Sequence, residues 1–191
     1  STITGTHPGT HGYNTGFGRQ IKEGVPMTSI SPDLITLPEV LTENGYTCGA
    51  TTAWGSVTPQ YGFGRGFQEF RVEKRDWDKY KRDSDTVVNR ALEWTERMID
   101  SGQQDIFYFM HIFDAHLPYL AFKTLSEEQE IDVSITDKFK EDYINAQPLN
   151  YEKLIEYSTN VEEPEYIDEL KQYYTKSLEN ISKSLERFVH M

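Results

Sequence analysis

Residues 84–119, SDTVVNRALEWTERMIDSGQQDIFYFMHIFDAHLPY, hold the helix and the strand whose order decides the fold class. In the first half, Val87, Ala91, Trp94 and Met98 recur at helical spacing, with Val88, Leu92 and Ile99 beside them. Such a stripe, backed by charged residues, predicts an amphipathic helix that buries one side. Ser101 and Gly102 follow as its stop. The run IFYFMHIF then shows no polar alternation, which predicts a strand covered on both faces, as in the interior of a parallel sheet. It falls well short of the roughly 18 apolar residues that a membrane span needs.

Upstream, residues 36–54 read TLPEVLTENGYTCGATTAW and repeat the same order. Thr36 and Glu39 have capping-box spacing, Pro38 suits a first helical turn, and Gly45 suits a stop. Leu37, Val40 and Leu41 are the expected apolar face of this helix. The small and β-branched residues of YTCGATTAW predict a short, half-buried strand. GFGRGFQEFRV, residues 62–72, reads as a turn that tucks its aromatic rings against the body. It lacks the Lys and the following helix of a phosphate loop, so Arg65 is expected to be structural or solvated rather than an anion ligand. The next 12 residues are densely charged and expected to be solvated.

From Glu163 to Met191 a long helix is expected, with Pro164 in its first turn. Its apolar side is Ile167, Leu170, Tyr174, Leu178, Ile181, Leu185 and Phe188. Helices alternating with strands predict an α/β fold with a largely parallel sheet flanked by helices. Residues 1–191 are read as a single partial domain. Within it, the acidic stretch 121–162 is read as an insertion or cap.

Thirty-one acidic residues against nineteen basic ones give a net charge of −12. That balance excludes nucleic acid as the expected partner, because binding phosphates requires clustered Lys and Arg. The acidity fits either a halophilic protein or an ordinary acidic surface. Cys48 is the only cysteine, so no internal disulfide and no multi-cysteine zinc site can form. No transmembrane run and no signal peptide is visible, and cytoplasmic and secreted locations both stay open. The oligomeric state is equally open.

HIFDAHLPY, residues 111–119, holds the candidate chemistry. His111 lies within the predicted strand, while Asp114 and His116 lie just past its end. In open parallel sheets, ligands bind beyond the carboxyl ends of the strands. There a histidine can donate to an anionic substrate or stabilise a leaving group, and Asp114 can orient an imidazole or a backbone turn. The competing reading is a strand-ending turn with a hydrogen-bonded histidine. His7 and His11 lie in the Gly- and Thr-rich stretch His7–Gly18, expected to be a loop. Their spacing suits a metal only on a helix, and Pro8 and Gly9 argue against a regular one. Both are therefore expected to be turn residues, and His190 a surface residue.

Taken in order, these pieces resemble the sulfatase family of the alkaline-phosphatase-like superfamily. STITGTHPGTHG, residues 1–12, resembles the segment that follows the family's nucleophile. TLPEVLTENGYTCGATTAW resembles its next helix and strand, and GFGRGFQEF is similar to its GFDxGFDxF turn. ALEWTERMIDSGQQDIFYFMHIFDAHLPY resembles its helix, strand and substrate-binding histidine loop, with DAHLPY matching DPHxPY. YYTKSLENISKSLERFVHM resembles, more weakly, the helix before a strand ending in the metal-binding Asp-His. The resemblance covers about residues 1–12, 36–72 and 84–119; residues 124–161 match nothing in the family.

The resemblance implies hydrolysis of a small-molecule or glycan sulfate ester, or a related phosphate ester, by a formylglycine, Ser or Thr nucleophile. It implies a divalent cation, usually calcium, and a substrate contact at His116, with His111 and Asp114 as neighbouring candidates. By the same resemblance the nucleophile lies upstream of Ser1 and the cation ligands lie outside residues 1–191, so these residues alone are expected to be inactive. One departure matters. The family's Gly-Lys-x-His is replaced here by TAWGS; Trp54 keeps its place, but the Lys and the His are missing. A phosphodiesterase or phosphotransferase of the same superfamily is therefore an alternative, and a non-catalytic α/β binding module is another.

Overall fold

The computed structural model describes residues 2–13, 28–53, 56–73, 83–116 and 164–190. Its elements are α1 (Pro8–His11), α2 (Leu37–Glu43), β1 (Thr47–Thr52), a 3-10 turn (Pro59–Tyr61), β2 (Glu69–Val72), α3 (Asp83–Asp100), β3 (Ile106–His111) and α4 (Pro164–Val189). The chain forms two compact units. The first comprises Ser1–Asp76, Asp83–Phe113 and Ser184–Met191; the second comprises Trp77–Arg82 and Asp114–Lys183. The stretch 121–162, read from sequence as an insertion or cap, lies outside the described residues, as do Trp54, Pro118 and Tyr119.

The first unit is an α/β arrangement. Its three described strands run parallel in the order β2–β1–β3. Cys48, Ala50 and Thr52 pair in register with Phe107, Phe109 and His111 of β3, and so share one face with them. Phe67 packs on this face, its ring centroid 5.4 Å from Phe70, 6.3 Å from Phe107 and 6.4 Å from Phe109. The aromatic rings of the Gly-Phe turn are thus tucked in as expected. α2 closes the same face, where the Cys48 Sγ lies 3.8 Å from the Pro38 carbonyl. Gly49 and Thr51 point to the opposite face, against α3. A Cβ placed on Gly49 would lie 2.5 Å from the Trp94 ring and 2.7 Å from Tyr108, so only hydrogen lets this helix approach so closely.

The burial of the strands differs from expectation. IFYFMHIF was expected inside the sheet and YTCGATTAW half-buried. Instead β1 is central and buried from Cys48 onward, while β3 is half-buried and pairs only with β1 among the described strands. Small residues favour β1 in the middle, because helices on both faces can then approach its backbone. The bulky side chains of β3 are covered by Phe67 on one face and by Trp94 on the other. β2 is a further strand, found where only a turn was expected.

The helix signals hold locally. Thr36 caps α2: its hydroxyl lies 3.4 Å from Glu39 N, and the Glu39 carboxylate accepts from Thr36 N at 2.7 Å. Gly45 and Gly102, with φ of +89° and +82°, turn the chain out of α2 and α3. The expected buried faces fare less well. Val87, Val88, Ala91 and Trp94 of α3 are buried, but Ile99 is exposed. In α2, Pro38 is the buried residue, whereas Leu37 and Val40 are exposed. The turn before β2 presses onto α2 at Pro38 and Glu39, so it selects that side of the helix. In α4 the buried positions are polar (Ser177, Asn180 and Ser184), while Tyr174 and Leu178 are exposed. Ile167 and Leu170 lie outside the described side chains. The end of α4 is tied to α3 within the first unit. Ser184 Oγ donates to the Asp85 carboxylate at 2.6 Å, and Arg187 reaches Asp85 at 2.9 Å and Asn89 at 3.1 Å.

Candidate functional site

The carboxyl end of the parallel sheet is where the chemistry-bearing residues of the sequence were expected. In the first unit this end is formed by Thr52 and Ala53 after β1, Glu73 after β2 and His111 closing β3. Ala53 N donates to the His111 carbonyl at 3.0 Å, and Glu73 N donates to the Thr52 carbonyl at 2.8 Å. The ladder is thus continued one residue past both strands, which holds these three exits at one level. Thr52 pairs with His111 in register and is fully buried; its hydroxyl donates to the Val57 carbonyl at 2.8 Å. Its place beside His111 follows from strand register, which a single sequence does not display.

His111 sits against Phe113, with ring centroids 6.1 Å apart. Its Nδ1 is buried without a hydrogen-bond partner. Burial lowers the imidazole below its ordinary value of 6.5. At neutral pH the ring is uncharged, and it can offer a hydrogen bond but no positive charge. Asp114 and His116 belong to the second unit. They follow His111 in the turn and bend that begin beyond β3, with Asp114 buried and His116 exposed. Of the three candidates, His116 is therefore the one whose ring meets solvent.

No protein-family model matches this chain, and no curated protein matches it. The described residues include no group of three or more His, Cys, Asp or Glu side chains able to hold a metal ion.

The remaining histidines are turn residues. His7 Nδ1 accepts from Gly9 N at 3.3 Å, and His11 Nδ1 accepts from Tyr13 N at 3.1 Å. His11 is buried, and Ser31 N donates to its carbonyl at 2.7 Å. One expectation needs correcting, since Pro8–His11 does form a single helical turn with His7 as its N-cap. Proline is tolerated there because the first helical N–H has no intrahelical partner to lose. Residues 14–18 of the expected loop lie outside the described residues. His190 is exposed at the end of α4.

Arg65 is structural. Its two terminal nitrogens donate to the carbonyls of Pro32 at 3.2 Å and Leu34 at 2.7 Å, and its Nε lies 3.9 Å from Glu39. On the α3 face, Glu69 lies between Arg71 at 2.7 Å and Arg97 at 2.8 Å. Burial alone would raise the Glu69 carboxyl, but hydrogen bonds from Arg97 and Arg71 outweigh it and hold the group below its ordinary value. Thr51 and Tyr108 share a 2.6 Å hydrogen bond on the same face. These groups join β1, β2, β3 and α3, and serve the packing of the sheet. No helix among the described residues is long and apolar enough to cross a membrane.

Proposed function

We propose that this chain is part of a sulfatase-like hydrolase of sulfate esters, with His116 contacting the substrate. The observation that supports this reading is that the His111–Asp114–His116 segment leaves the carboxyl end of a strand in a parallel sheet, where ligands gather in such folds. His116 donates an N–H to an ester oxygen and so favours the charge that builds there as the bond to the leaving group breaks. His111, held neutral, supports the strand exit from which that loop departs. Asp114, buried at the start of the turn, orients the loop. The resemblance in motif order adds the reaction class, and with it a divalent cation.

A second reading has its own observation. Ala53, at the position where the family carries a lysine, is buried at 2% exposure and brings no positive charge to the end of β1. That favours a phosphodiesterase or phosphotransferase of the same superfamily, or a binding module without catalysis, over a strict sulfatase.

Turnover of an aryl sulfate and an aryl phosphate by the natural full-length protein, with and without chelator, separates the three. Sulfate turnover lost on chelation supports the first reading, and preference for the phosphate supports the second. No turnover of either ester leaves the binding module. In an active protein, His116→Ala is expected to lower kcat/KM about 100-fold, the scale of one positioned proton donor. Unchanged kinetics would remove His116 from the site.

A further inference from the structure

We draw no further inference here: the strongest candidate, the half-exposed apolar stripe of α4 formed by Tyr174, Leu178, Ile181 and Leu185, carries nothing because the structure does not show what covers it.

Discussion

At the scale of single residues, two positions have measurable consequences. Gly49 is one, because a methyl group there meets the Trp94 ring at 2.5 Å. Replacing glycine by alanine in a strand would ordinarily gain about 0.5–1 kcal/mol from a stiffer unfolded chain. Here overpacking costs more, about 1–3 kcal/mol, so Gly49→Ala is expected to destabilise, read as a lower urea midpoint. Shrinking the opposing ring in the same background, as Trp94→Leu, should show coupling between the two sites; strict additivity would mean that the contact is not the cause. His111 is the other position. Its folded-state pKa lies below its unfolded value of 6.5 because burial disfavours the charged ring. As pH falls below 6.5 the unfolded chain takes up a proton that the folded chain refuses. The stability conferred by the neutral ring is therefore complete above that pH and is lost on acidification, down to the lowered native pKa. Urea titrations across this range should show stability rising with pH, and His111→Gln should flatten that slope. A variant with the wild-type slope would assign the effect to another group.

At the scale of elements, the joint between α2 and the turn before β2 concentrates several interactions on few residues. The Thr36 hydroxyl donates to the Glu39 carboxylate at 2.9 Å and lies 3.2 Å from the Arg65 carbonyl. Thr42 Oγ1 donates to the Gly66 carbonyl at 2.7 Å. Loss of an N-cap costs about 0.5–2 kcal/mol, and full burial puts Thr36 toward the upper end. Thr36→Ala is therefore expected to lower stability by about 1–2 kcal/mol in chemical denaturation, whereas Thr36→Ser should retain most of it. An equal loss for both would show that the methyl group, not the hydroxyl, matters. The capping box was visible in the sequence because all of its parts lie within four residues. The Thr36–Arg65 contact was not, since it joins positions 29 residues apart.

At the scale of the whole molecule, charge decides. The chain carries a net −12, and the ion pairs among the described residues, such as Arg187–Asp85 and Arg90–Glu93, lie at the surface. Exposed pairs contribute about 0.2–1 kcal/mol each, and salt screens that away. Salt also screens the repulsion among the excess carboxylates, which acts on the folded chain as a whole. With twelve unbalanced charges the second effect is expected to win. Between about 0.01 M and about 1 M NaCl, where the screening length falls from about 30 Å to about 3 Å, the melting temperature should rise. A fall would mean that local pairs outweigh the overall repulsion.

The α/β class and the approximate extents of α2, α3 and α4 were legible without coordinates. Each rests on periodicity, caps or order along the chain, which are carried by neighbouring residues. The centre of the sheet was not legible. IFYFMHIF is the more apolar strand, yet β1 holds the middle of the described strands, because small side chains such as Gly49 and Ala50 admit helices on both faces. Nor was the buried side of α2 legible, where Pro38 rather than Leu37 or Val40 faces inward. The burial that keeps His111 neutral belongs with these, as does the exposure of His116. Local pattern determined α2, α3, α4, β1 and β3, but not β2 or the helical turn α1. Packing between residues far apart in the chain decided which strand lies inside, which helix face is covered and which histidine meets solvent.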